Sequence, residues 1–484
     1  MNTWVKLLNR EFSLAFQAEV PYVNHTLLPK SIGIPIDNFW CETITFGVYY
    51  KTDELKKLAD KIQNTIIIDP HFAKQNISDC YAFGNMLLAA SKLGTPKILS
   101  KNTNLQLLKK LQTFRSAYLQ FLPYLVYPHP IERYFLEIIA TELKNHLRNS
   151  CHEQDFNALY ETLTTPTVHE IDEQIDLPTL AKKVRKEGWS VKNEKLLTNI
   201  TNKYTWQPLF SLTAKPLTKD YFRNAVQAYV DGKTDLHNEI RSIKHDQIHR
   251  KNDLQNTLKH IKAPKQLNAY VELLQGYMYL RTYRKNIIAH AHYLHLPLLI
   301  EIGDRMGIGK DIMILSYEEI IQYLQTGEAV ALTLINKRKE AWAILSIKGT
   351  VSIISGKHNV LKTAKKYHIE DIQKISAEKI VHGQPACLGK AIGSVTIVKN
   401  INEFDKVHQG DILVTPMTTP DFVPLLQKVA AIVTDEGGVT CHAAIISREY
   451  HIPCIVGTSN ATKTFTDGDM IEVDANNGTA KIVE

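Results

Sequence analysis

Apolar positions recur in two different rhythms along the 484 residues. Between 77 and 300 they fall every three or four residues over long stretches, at 104–122, 130–147 and 265–302, with Pro-containing turns such as Pro128-His129-Pro130 between them. That spacing puts them on one face of a helix and predicts a domain of packed helical hairpins over 76–302. Towards the C-terminus the rhythm changes, and short β-branched or apolar runs at 394–398, 412–415, 431–433 and 454–456 alternate with helical patterns at 421–428 and 441–450. Strands alternating with helices predict a compact α/β domain over 376–484. Residues 1–75 mix β-like runs at 43–50 and 65–68 with a helical pattern at 52–62, and are expected to form a small α/β subdomain. Residues 303–375, with a helix near 317–324 and a strand pair within 341–354, read as a mixed connecting subdomain. The expected fold class is multidomain, α and α/β, with a large helical domain ahead of the C-terminal α/β domain.

Composition narrows the function classes. At 44% apolar and 22% charged residues the chain is that of an ordinary globular protein, neither disordered nor fibrous. No run of 18 apolar residues occurs and Arg10 and Glu11 interrupt the N-terminal stretch, so neither a membrane span nor a secretory leader is expected. Six cysteines stand far apart without a C-x-x-C pair, which reads as reduced cytoplasmic thiols and not as a disulfide framework or zinc ribbon. The formal charge of +7 contains no block of like charges that would mark a nucleic-acid arm. It is uneven, however: 376–484 holds 8 Lys+Arg and 13 Asp+Glu, a net −5, which leaves +12 for the rest.

The chemistry concentrates in 435–448, Asp-Glu-Gly-Gly-Val-Thr-Cys-His-Ala-Ala-Ile-Ile-Ser-Arg. A strand ends near Val433, Gly437 and Gly438 permit a tight turn, Thr440 can cap, and a helix of small and branched residues begins. His442 is then expected in the first turn, where unused backbone N–H groups and the helix dipole favour an anion. A neutral imidazole nitrogen there can attack phosphorus and leave the phosphoryl group among amide donors. By itself, a histidine at such a place also fits a plain surface or cap residue.

The run Gly437-Gly-Val-Thr-Cys-His-Ala-Ala-Ile-Ile-Ser-Arg448 resembles the phosphohistidine signature of the phosphoenolpyruvate-utilising enzymes, which include phosphoenolpyruvate synthase, pyruvate phosphate dikinase and rifampin phosphotransferase. The resemblance extends from Gly383-Gln-Pro-Ala-Cys-Leu-Gly389 through Gly410-Asp-Ile-Leu-Val-Thr-Pro416 and Pro420-Asp421 to Ile452-Pro453, Val456-Gly457 and Asp467-Gly468-Asp469. It implies a mobile, swivelling domain in which His442 carries phosphate, with Gly437, Gly438, Thr440, Cys441 and Arg448 supporting the group. Cys441 stands where the family often has serine, and it reads more simply as a small packed thiol. A swivelling domain needs a hinge, expected at 377–384, with Gly383 ahead of Pro385 as its centre.

Relatives that make phosphohistidine from ATP carry an ATP-grasp portion with an Arg-Ser-Ser…Glu-Asp stretch, which this sequence lacks. Gly303 to Asp311 has one residue too many for a Walker A loop and an Asp where Ser or Thr would hold magnesium, so it reads as a turn between helices. The βα repetition of a phosphoenolpyruvate-binding barrel is also missing. The resemblance then implies a split system: no cofactor bound in this chain, ATP and Mg²⁺ on a separate ATP-grasp-type donor protein, and a small-molecule acceptor. The alternative is a non-catalytic binding or regulatory protein that retains a phosphohistidine-type domain.

At the level of composition, Arg281-Thr-Tyr-Arg284, Glu301-Ile-Gly-Asp-Arg305 and Ile335-Asn-Lys-Arg338 resemble the helical acceptor-binding region of rifampin phosphotransferase. Arg281, Arg284 and Lys285 share one broad helical face that could meet a phosphorylated ligand, or could equally be a solvated face. His290, His292 and His295 invite a metal reading, but 290 and 292 point to different sides of a helix and no carboxylate completes a set, so no metal site is expected. Trp40 reads as core packing.

Overall fold

The computed structural model describes the chain except residues 1–3, 9–13, 28–34, 36, 43–46, 70, 127, 148–152, 168–171, 208, 210–215, 233–234, 370–379, 400, 419, 438–440, 459 and 484. The chain divides into two compact units, one made of 12–37 and 53–335 and the other of 1–11, 38–52 and 336–484.

The first unit is helical. Its spine is the 41-residue helix Lys265–Arg305, which buries Leu267, Val271, Leu274, Tyr277, Leu298 and Ile302 and packs against His71–Ser91 and Pro128–His146. Local signals set the ends of the shorter helices. Thr103 and Ser316 each accept from the backbone N–H three residues on, at Gln106 and Glu319, whose side chains bond back to close capping boxes at Asn104–Phe121 and Tyr317–Thr326. Gly327 ends the latter in a left-handed conformation. Residues 65–68 are not a strand. The helix Thr52–Ile68 runs through them because Leu58, Ile62 and Ile66 continue its buried stripe, and this packing overrides the β-propensity of the Ile run. No helix among the described residues is long and apolar enough to cross a membrane.

The histidines of the spine belong to its packing. His290 stacks on Trp206, and His295 lies flat on Phe114 with its Nε2 3.3 Å from the Tyr317 hydroxyl. Burial holds His292 down to about 3 and His295 well below its ordinary value, so both are neutral. Near them Glu19, 1% exposed, accepts from Arg115 Nε at 2.8 Å, and Arg115 also pairs with Glu318. Burial raises Glu19 to about 7 against the pull of Arg115. A carboxyl raised on folding stabilises the fold below its unfolded value of about 4.5 and loses that contribution as pH climbs to about 7, whereas the buried histidines act in the opposite sense. The test is therefore a difference: Glu19→Gln should gain on the wild type by on the order of 2–3 kcal/mol in urea unfolding between pH 4.5 and 7.5. A gap between the two proteins that stays constant with pH refutes the coupling.

The second unit contains two sheets. Strands β1 (Trp4–Leu8), β2 (Asn38–Glu42), β3 (Gly47–Lys51), β4 (Trp342–Ile347) and β5 (Thr350–Ser355) form an antiparallel sheet in the order β1-β3-β2-β4-β5. The helix Lys357–Lys366 covers one face through Val360 and Ala364 on Tyr49, Ala343 and Leu345. This corrects the expected boundaries. Residues 1–75 are not a subdomain, because β2 pairs with β4 in the register Asn38↔Ser346 to Glu42↔Trp342, while 12–37 and 53–75 join the helical unit.

The C-terminal sheet has eight strands: β6 (Ile380–His382), β7 (Gln384–Cys387), β8 (Lys390–Ile397), β9 (Ile412–Thr415), β10 (Ala431–Thr434), β11 (Cys454–Val456), β12 (Met470–Asp474) and β13 (Thr479–Ile482). Their order is β6-β13-β12-β8-β9-β10-β11-β7, with β8 to β11 parallel. Strands β9, β10 and β11 are buried on both faces, as continuous apolar runs require. Leu413, Ile432, Cys454 and Val456 face a core shared with the helix His442–Tyr450, while Ile412, Val414, Val433 and Ile455 face the opposite core. The pattern at 421–428 is realised as the 3₁₀ helix Pro420–Leu425.

Candidate functional site

The site lies where the parallel strands β9 and β10 end, the edge of such a sheet at which ligands are commonly met. The two loops that leave these strands are laced together. Asp435 N–H donates to Thr415 O at 3.1 Å, Glu436 N–H to Pro416 O at 2.8 Å, and the Thr415 hydroxyl to Met417 O at 3.0 Å. The Thr434 hydroxyl bonds Glu436 O at 2.6 Å, and Thr458 N–H bonds Thr434 O at 3.0 Å. Asp435, 3% exposed, accepts from the backbone and hydroxyl of Thr462, so its carboxylate ties down the loop.

This lacing brings Thr418 to His442. The Thr418 hydroxyl, on a residue only 2% exposed, lies 2.9 Å from His442 Nδ1. His442 is half-buried, its Nε2 is enclosed by protein, and it is the first residue of the helix His442–Tyr450. The N–H groups of that first turn have no carbonyl one turn back to serve. Cys441, with an extended backbone, is the N-cap and makes no side-chain capping bond. Gly437 has φ +120°, and a Cβ there would come within 2.7 Å of Cys441 Sγ, which explains glycine at this turn. Gly438 and Thr440 lie outside the described residues.

Other expected residues fall elsewhere. Arg448 stands six residues along the helix from His442, about 9 Å down its axis, and is exposed. Its Nε donates to Ala386 O at 2.9 Å, where β7 is bulged against β11, so it braces the sheet edge. Accordingly, Arg448→Ala should lower stability by about 1 kcal/mol in thermal unfolding, the loss expected for one hydrogen bond. Gly383 and Pro385, expected at the centre of a hinge, are packed into the sheet. Gly383 N–H bonds Gly478 O at 2.9 Å, a Cβ on it would meet Ile455 Cγ2 at 2.6 Å, and Pro385 pairs with Ile455 inside the sheet. The remainder of the expected hinge, 377–379, lies outside the described residues.

Arg281 and Arg284 do not form an open cationic face. Arg281 pairs with the buried Glu132 at 3.2 Å, and Arg284, 7% exposed, donates to Leu125 O within the helical unit. Thr418 is the residue that sequence reasoning passed over, although Pro416-Met-Thr-Thr-Pro420 places two hydroxyls directly after a parallel strand. Among the described residues no group of three or more His, Cys, Asp or Glu could hold a metal ion.

Comparison with known proteins bears on the same segment. Residues 407–478 match the family described as PEP-utilising enzyme, mobile domain. A probable phosphoenolpyruvate synthase of Methanothermobacter thermautotrophicus is 51% identical over 109 residues, 22% of this chain and 16% of that protein. One from Archaeoglobus fulgidus is 41% identical over 167 residues, 34% of this chain and 22% of that protein. An uncharacterized phosphotransferase of Bacillus subtilis is 45% identical over 108 residues, 22% of this chain and 13% of that protein. The chain thus spans less than a quarter of the length of these relatives.

Proposed function

We propose that this chain, whose C-terminal segment carries the mobile domain of the phosphoenolpyruvate-utilising enzymes, is a phosphotransferase component that relays a phosphoryl group on His442. The observation that carries the reading is His442 at a helix N-terminus with its Nδ1 held by the Thr418 hydroxyl. When Nδ1 is protonated and donates to Thr418 Oγ1, Nε2 keeps its lone pair in the ring plane. That lone pair forms the N–P bond as the donor's P–O bond breaks, the electron pair leaving with the donor oxygen. In the second step an acceptor oxygen displaces Nε2 and loses its proton to a base or water.

Such transfers depend on in-line positioning and on neutralising the phosphoryl oxygens. The first-turn amides and the helix dipole supply part of that here. Nε2 is enclosed in this conformation, so the reaction requires that it first be uncovered. ATP and Mg²⁺ belong to a separate ATP-grasp-type donor, and the acceptor is a small molecule. Mg²⁺ on the donor would neutralise charge on the transferred group.

The enclosure of Nε2 also favours a second reading, a binding or regulatory protein that no longer turns over. One experiment separates the two. The full chain, mixed with ATP, Mg²⁺ and the ATP-grasp protein encoded nearest to it, should gain an acid-labile, base-stable phosphate, and chain purified from its native host should carry the same mark by mass spectrometry. Absence of the modification in both settings refutes the relay.

A further inference from the structure

Three thiols gather on the face of the C-terminal sheet that carries the His442 helix. Cys454 on β11 is fully buried, and Cys387 on the edge strand β7 is its cross-strand partner in antiparallel register. Both pack with Cys441 into the core that holds Ala443, Ala444 and Ile446. All three are thiols in this structure. Directly opposed residues of antiparallel strands have Cα atoms about 4.5–5.5 Å apart with side chains on one face, and a disulfide spans about 4.4–6.8 Å. Cys454 Sγ lies 3.9 Å from Ala443 O, the carbonyl of the residue next to His442.

We propose that Cys387 and Cys454 form a reversible disulfide on exposure to a hydroperoxide, a modification site that borders the His442 helix. Cys387 is half-buried and on the sheet edge, so oxidation begins there. Its sulfur attacks the peroxide O–O bond, giving a sulfenic acid and water. Cys454 sulfur then displaces the sulfenic hydroxyl as a second water, so two thiols and one hydrogen peroxide yield one disulfide and two waters. Burial raises Cys387 and holds Cys454 up to about 12, while Arg448 nearby pulls both the other way. The thiolate fraction is small, and the pair therefore responds to sustained oxidant and resists brief exposure. The new bond fastens the edge strand to β11 and turns the Cys454 sulfur away from Ala443 O.

The test is disulfide mapping of the full chain after graded hydrogen peroxide, by alkylation, non-reducing digestion and mass spectrometry. The expected result is a linked peptide pair containing Cys387 and Cys454 that dithiothreitol cleaves, that is lost in Cys387→Ser and that persists in Cys441→Ser. A link through Cys441, or sulfinic acid at Cys387 with Cys454 still alkylated, overturns the proposal. The wild-type map alone decides should a variant fail to fold. It also stands apart from phosphoryl transfer, since linkage is read whether or not His442 accepts phosphate.

Discussion

Replacing His442 by alanine should abolish the acid-labile phosphate entirely while leaving the fold intact. The ring is the nucleophile in the proposed relay, and no neighbouring group offers a substitute with the same product chemistry. Cys441 would give a thiophosphate ester and Thr418 an acid-stable ester, so labelling that persists with acid-labile character in the variant would refute the assignment. The fold control is direct. His442 is half-buried at a helix start, and the core beneath it is formed by Ala443, Ala444, Ile446 and Ile452. Removing the imidazole should therefore shift the thermal midpoint by only a few degrees, as a loss of about 1 kcal/mol does in a domain of this size. Loss of label with a normal melting curve is the combined outcome that the relay requires.

Thr418→Val should slow phosphoryl acceptance by about 10–100-fold, the equivalent of about 1–3 kcal/mol for a lost buried hydrogen bond. Valine keeps the shape and removes the hydroxyl that stands 2.9 Å from Nδ1. The imidazole then loses the hydrogen-bond partner that holds its Nδ1 while the lone pair on Nε2 attacks. Thr418→Ser should restore most of the rate, because the hydroxyl returns with one methyl fewer. A merely structural threonine would behave differently, with valine nearly neutral and serine the more damaging change. Chromatographic separation of the two phosphohistidine isomers adds a readout independent of rate: the phosphate should reside on Nε2. Phosphate found on Nδ1 in the wild type would exclude the role assigned to Thr418.

The parallel-strand spans at 412–415 and 454–456 coincide with those read from β-branched runs, and the principal helices differ by a few residues at their ends. These features are set by contacts between residues two to four apart, which is what periodicity records. The placing of His442 in the first turn of a helix was legible for the same reason, since glycines followed by small helix formers define a start within one short segment. The extra helical turn at 65–68 was not legible, because the Ile run favours a strand locally and only the burial of Ile66 in line with Leu58 and Ile62 decides the matter.

What the sequence determined on its own was therefore local: the alternation of elements, the helix that presents His442, and the kinship of the segment around it. Tertiary structure decided everything that depends on who stands opposite whom. It joined β1, β2 and β3 to strands about three hundred residues later, set Thr418 against a ring 24 positions away, and drew Arg281 and Arg284 into the packing of the helical unit. It also turned Arg448 towards the bulged edge strand and paired Cys387 with Cys454. Register between strands and the direction of a long side chain are fixed by partners distant in the chain, whose contacts leave no period in the sequence.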